Sequence, residues 1–213
     1  MNLDVKKQLF HFNNGAGIEE HIPFDEFNFH PVLKDIENMF WMFILSNKAL
    51  SLPETQDNLK NDEVFSDMLV KFNKWTGLNI KIKESGREYI TTLNVQNQMI
   101  FLGKAMAILT FDFISSSKYQ SAIGQDNKFQ FLRHIRNGAA HYNTFNLKDI
   151  DGEWKLEEHE SVIWNNKVIN RELDREKVFP NFFSVFEMFF LAYDLSKELS
   201  TIDNQKTKHK VKL

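Results

Sequence analysis

Apolar residues recur with a helical period over most of this chain and alternate over one shorter stretch. After a mixed segment 1–30, in which Gly15 and Gly17 mark a loop, His30-Pro31 opens a helix, because Pro is well tolerated at the first helical position. Ile36, Met39, Phe40, Phe43 and Ile44 then follow the spacing of a core-facing stripe. Pro53 is expected to end this region. A shorter helix is predicted over about 63–75, with Phe65, Met68, Leu69 and Phe72 on one side and Thr76-Gly77 as its stop. A long helix is predicted over 89–117, its second half apolar almost all round, as in the central member of a bundle. Ser115-Ser116-Ser117 and Gly124 mark the next break. A helix from Asn127 to about Tyr142 carries Leu132, Ile135, Ala139 and Tyr142 on one stripe.

The period then changes. Phe145 and Leu147 precede Asp151-Gly152 while Trp154 and Leu156 follow it, which predicts a hairpin. A second hairpin is predicted from Ser161-Val162-Ile163-Trp164 through Asn165-Asn166 into Lys167-Val168-Ile169. Pro180-Asn181 is expected to start the last helix, with Phe182, Phe186, Phe189 and Tyr193 on its apolar face. The expected architecture is therefore mainly α: one helical domain over 1–200, a small β insert at 145–178, and a basic flexible tail at 201–213.

Composition supports a helical reading. The 213 residues are 42% hydrophobic, 26% charged and 14% aromatic, with 21 Phe but only 8 Gly and 4 Pro. The absence of cysteine excludes disulfides, thiolate nucleophiles and Cys-based metal sites. A formal charge of −3 argues against a surface that coats nucleic acid indiscriminately. The segment Met1 to Lys7 lacks the apolar core of a signal peptide, Met39 to Leu45 is too short to span a bilayer, and Met99 to Ile114 carries Lys104 and Asp112. A cytoplasmic protein with no membrane partner is the expectation.

Candidate chemistry concentrates in Phe131-Leu132-Arg133-His134-Ile135-Arg136-Asn137-Gly138-Ala139-Ala140-His141-Tyr142-Asn143. Two of the chain's five arginines stand three residues apart here. At about 100° per residue, Arg133, Asn137 and His141 form one polar stripe, flanked by Arg136, whose long side chain can bend towards His141. Gly138, Ala139 and Ala140 leave the backbone open to a second backbone or a ligand. Arg offers a permanently charged planar fork for phosphate oxygens, and His, with an ordinary pKa of about 6.5, can move a proton near neutrality. Asn137 is placed to orient the imidazole. Nothing in this set requires a metal or another cofactor. The same stripe also suits a plain solvated helix face or a hydrogen-bond network.

Arg136-Asn137-Gly138-Ala139-Ala140-His141 resembles the Arg-polar-x(3–5)-His motif of the HEPN superfamily (higher eukaryotes and prokaryotes nucleotide-binding). The flanking Phe131-Leu132-Arg133, and the run Val178-Phe179-Pro180-Asn181-Phe182-Phe183 beyond the insert, are similar to a bacterial group of HEPN proteins often found on mobile elements. The resemblance implies an up-and-down bundle of four or five helices forming a homodimer through the motif helix. It also implies a metal-independent endoribonuclease, a toxin or phage-defence effector, in some cases with an antitoxin protein as partner. Carried over by position, Arg136 and His141 are the catalytic pair and Asn137 supports them. Arg133, on the same polar stripe, is a weaker candidate for RNA contact. Toxins paired with nucleotidyltransferase antitoxins carry Tyr two residues after the His. Here that position is Asn143. Two alternatives stay open: a non-catalytic module binding RNA, nucleotide or a protein partner, and an adaptor whose polar stripe cements the dimer.

Other signals are weaker. His11, His21 and His30 lie near acidic residues at a spacing that gives a metal site little support, so surface or capping roles are expected. His134 falls on a different face from His141. Glu157, Glu158, His159 and Glu160 suggest a solvated hairpin edge. Lysines 206, 208, 210 and 212 suit a solubilising tail or phosphate contact. Trp154 and Trp164 serve either base stacking or packing of the insert.

Overall fold

Large apolar side chains at helical spacing, with few breakers, produce a chain dominated by helix. The computed structural model describes residues 9–13, 19–23, 27–50, 52–60, 95–157 and 160–210. Two antiparallel strands come first, β1 (Leu9–Asn13) and β2 (Glu19–Pro23), in a register that pairs His11 with His21. This hairpin is absent from the sequence reading, which places only a loop there. Helices α1 (Lys34–Leu50), α2 (Pro53–Lys60), α3 (Val95–Ser115), α4 (Gln120–Ile123) and α5 (Asn127–Ala140) follow. A short hairpin, β3 (Val162–Trp164) and β4 (Lys167–Ile169), precedes the last helix, α6 (Val185–Lys210). The chain divides into two compact units, Met1–Asn38 with Ile100–Leu213, and Met39–Met99.

Several elements match the expected positions and some do not. The first helix ends at Leu50, just before Pro53 as expected, and Pro53 itself starts the next helix, at the first-turn position where a missing N–H costs nothing. The helix expected over 63–75, and residues 89–94 of the long helix, lie outside the described residues. The last helix begins at Val185, not Pro180. Val178–Phe182 forms a wide irregular turn in which Phe179, restricted by the following proline, is extended. The true start is a capping box: Glu187 N–H donates to Ser184 Oγ at 3.1 Å, and Ser184 N–H donates to Glu187 Oε2 at 2.8 Å. The helix continues to Lys210, through the region where a flexible tail was expected.

In the larger unit, α5 packs against β3, α6 and the turn at Val178–Phe182. Aromatic rings fill this junction. Phe131 lies 5.9 Å from the Trp164 ring and 5.6 Å from Phe183, and Trp164 Nε1 donates to Asp194 Oδ2 at 3.0 Å. Trp164 is thus a buried clamp between the insert and α6, not a base platform. The segment 27–30 lies against α6 through Phe27 and Phe29, each within 5.4 Å of both the Phe189 and the Tyr193 ring centroids.

His30 fixes the entry to α1. Its Nδ1 accepts from Val32 N–H at 3.2 Å, a capping role, while Nε2 meets Asp203 Oδ2 at 3.1 Å. Tyr119 Oη donates to the same oxygen at 2.6 Å. Hydrogen bonds from Tyr119 and His30 hold the Asp203 carboxyl down to about 2.

Among the described residues, one helical stretch, Gln96–Ser115, is long and apolar enough to cross a bilayer. It buries one face, with Leu102, Met106, Ala107, Thr110 and Ile114, and about 33% of the stretch is buried.

Candidate functional site

The motif helix α5 is well specified at its start. Asp126 accepts from Lys128 N–H at 2.8 Å and Phe129 N–H at 3.3 Å, satisfying two free donors of the first turn. Phe129, Phe131, Leu132, Ile135, Gly138 and Ala139 form its buried face. The helix ends at Ala140, so His141 is its cap and not a member of its last turn. His141 N–H reaches back to the carbonyls of Asn137 (3.1 Å) and Gly138 (3.2 Å), and its side chain is exposed.

The small residues after Arg136 have a different use from the one expected. A Cβ on Gly138 would collide with Val178 Cγ2 and lie 3.3 Å from the Thr144 carbonyl oxygen. The backbone that approaches so closely belongs to this same chain. Gly138 and Ala139 are buried, and Ala140 alone of the three is exposed. Asn143 completes the junction. Its Nδ2 donates to the Phe179 carbonyl at 2.6 Å, its Oδ1 accepts from Phe179 N–H at 3.1 Å, and its carbonyl accepts from Val178 N–H. These three bonds imitate a strand pair. They also explain a polar residue that tolerates φ 61° at this position.

Arg136 turns away from His141. Its guanidinium lies 3.6 Å from Asp112 Oδ1 and 5.4 Å from the Phe111 ring centroid on α3. Nη1 reaches Asn137 Oδ1 at 3.4 Å, and Nε is buried with no hydrogen-bond partner among the described residues. The expected bend of Arg136 towards His141 is therefore replaced by a tether to α3. The Asn137 side chain accepts from Arg136, and its backbone carbonyl accepts from His141 N–H.

The structure brings together a partly different set. A cleft of about 560 Å³ lies between α5 and the insert, with Arg133, His134 and Asn137 on its helix side and Lys155, Glu160 and Ser161 opposite. His134 is half-buried, and burial, reinforced by the positive charges of Arg133 and Lys155, lowers its pKa from the ordinary 6.5 to about 4. It is neutral at pH 7, with one ring nitrogen donating and the other accepting. Sequence reasoning reads His134 as structural or exposed and Glu160 as a solvated edge. The fold of the insert over α5 gives both a shared cleft, and no local pattern encodes that placement. Asp112 did leave a signal, as the lone acidic residue in an apolar helix.

Trp154 is partly exposed between two cations, with Lys148 Nζ 4.4 Å and the Arg171 guanidinium 5.1 Å from its ring centroid. Among the described residues, no group of three or more His, Asp or Glu is placed to hold a metal. His30 is committed to Asp203 and Tyr119. Compared with protein-family models, with curated proteins and with solved structures, the chain matches none.

Proposed function

We propose that this chain is a HEPN-type endoribonuclease that acts as a homodimer without a metal. The observation that carries the reading is the division of labour within the motif. Gly138 and Ala139 are buried in the core, while His141 stands exposed at the open end of α5 and Arg136 is oriented by Asp112. A helix cap whose imidazole is free of the core is available to a substrate hydroxyl. The Arg136 guanidinium, held by Asp112 and Asn137, meets a phosphate once it leaves that tether.

Cleavage through the ribose 2′-hydroxyl needs a base at that oxygen and an acid at the leaving oxygen. One chain contributes one such His, and a two-fold interface through the end of α5 supplies the second. In this mechanism His141 takes the 2′-hydroxyl proton as the 2′-oxygen bonds to phosphorus. The partner's His141 gives a proton to the 5′-oxygen as its bond to phosphorus breaks. Arg136 offsets the charge that builds on the phosphate oxygens. The products are a 2′,3′-cyclic phosphate and a 5′-hydroxyl. DNA lacks the attacking group and stays intact.

The non-catalytic binding module has an observation of its own in its favour. Arg136 already holds Asp112 and Asn137, as an arginine retained for architecture would. Purified protein incubated with total tRNA and messenger RNA in EDTA separates the two. The ribonuclease reading expects cleavage by the unsubstituted chain and none by folded His141→Ala or Arg136→Ala. Intact RNA throughout, with binding retained, moves the module reading ahead.

A further inference from the structure

The cleft between α5 and the insert holds a set of groups whose leftover valences point to one kind of ligand. Arg133 and Lys155 supply two positive charges against the single carboxylate of Glu160. The Arg133 guanidinium has no ion pair or hydrogen bond among the described residues. Lys155 Nζ gives one proton to the Asn146 carbonyl at 3.0 Å and keeps two.

Two of the amides in the cleft each spend one of their two donors on the protein. Asn127 Nδ2 donates to the Ile163 carbonyl at 2.6 Å, and Gln130 Nε2 donates to the Gly124 carbonyl. Their amide oxygens remain as acceptors. Glu160 accepts from Glu157 N–H at 3.0 Å through one oxygen and keeps the other. His134, neutral at pH 7, adds no third positive charge to the cleft. The cleft therefore offers cationic donors for an anion and several acceptors for ligand hydroxyls, in a space of about 560 Å³.

We propose that this cleft binds a sugar phosphate, with the phosphate on Arg133 and Lys155 and the sugar hydroxyls on Glu160, Asn127 and Gln130. A carboxylate accepting from ribose hydroxyls is a recurrent way to hold such a sugar. Among the described residues that line the cleft there is no Phe, Tyr or Trp, and its one aromatic ring, His134, is half-buried, so the proposal commits to the sugar phosphate as the recognised unit. The source is either a free sugar phosphate or the phosphorylated end of an RNA strand. The proposal goes beyond the ribonuclease reading and stands without it.

Titration calorimetry on the full chain carrying His141→Ala tests the site without interference from cleavage. The probes are ribose 5-phosphate, 2-deoxyribose 5-phosphate, inorganic phosphate, and a short RNA with either a 5′-phosphate or a 5′-hydroxyl. Ribose 5-phosphate is expected to bind more tightly than inorganic phosphate and than the deoxy sugar. Adding Lys155→Ala should weaken it by about tenfold, the loss of one charge-assisted hydrogen bond. Adding Glu160→Gln should reduce the preference for the sugar phosphate over inorganic phosphate, because it removes a hydroxyl acceptor from one ligand and a repelling charge from both. Preference for the free sugar phosphate assigns a metabolite, and preference for 5′-phosphorylated over 5′-hydroxyl RNA assigns a strand end. Binding no tighter than inorganic phosphate for every probe overturns the proposal. So does binding that Lys155→Ala does not weaken and whose preference Glu160→Gln does not reduce. Failure of RNA cleavage by the unsubstituted chain is a separate result and leaves this one standing.

Discussion

His134 offers a quantitative test of the cleft, because its neutral form is favoured by the fold and its charged form by the unfolded chain. Its pKa falls from 6.5 to about 4 on folding. Between those values the unfolded chain binds more protons, so stability rises with pH across this window and is fully present above about 6.5. At 1.36 kcal/mol per unit, the loss relative to neutral pH is about 1 kcal/mol at pH 5.5 and about 3 kcal/mol by pH 4, as an upper bound for a half-buried group. His134→Gln keeps a neutral polar side chain of similar reach and removes the titration. Urea unfolding of both proteins at several pH values between 4 and 7.5 isolates the term as the difference between the two curves. Burial is the largest cause of the shift, with Arg133 second, so 0.5 M salt should leave most of the difference in place. Parallel curves for the two proteins down to pH 4.5 would show that His134 is solvated, and the description of the cleft would be wrong.

Substitutions at three further positions probe the motif and its surroundings. Gly138→Ala forces a methyl into Val178 and should cost about 1–3 kcal/mol net despite the better helix propensity of Ala, seen as a lower thermal midpoint; an unchanged midpoint would mean the two segments are not in contact. Asn143→Ala removes both side-chain bonds to Phe179 and strands its backbone groups, for a loss of about 1–3 kcal/mol by urea unfolding, whereas Asn143→Asp should retain the acceptor bond to Phe179 N–H. Asp112→Asn breaks an exposed ion pair worth less than about 1 kcal/mol, so stability should hardly change, while filter binding of RNA to the His141→Ala background should tighten as Arg136 is released.

How much of this was legible depended on whether the deciding contacts were local. Asn165-Asn166 between alternating apolar residues gave the β3–β4 turn residue for residue, since both adopt positive φ (45° and 62°) as that turn requires. Asp151-Gly152 gave a turn with Gly152 at φ 85°, yet pairing there stops at one bridge, Lys148 with Trp154. Asp149 Oδ1 instead accepts from Asp151 and Glu153 N–H. The start of α6 was legible and overlooked: Ser184-Val185-Phe186-Glu187 is a capping box, outweighed in the reading by Pro180. The candidate site was legible as a list of residues and not as a constellation. Helical angles placed Arg133 and Asn137 on one side correctly. They said nothing of Asp112, which captures Arg136 from another helix, or of the helix ending before His141.

The central claim is that Arg136 and His141 cut RNA through its own 2′-hydroxyl. The most direct measurement is the chemistry of the new ends, read on RNA incubated with the purified chain in EDTA. The account predicts a 2′,3′-cyclic phosphate on one fragment and a 5′-hydroxyl on the other, both lost in His141→Ala, with DNA of the same sequence left whole. A 3′-hydroxyl with a 5′-phosphate, cleavage that persists in His141→Ala, or cutting of the DNA would contradict it.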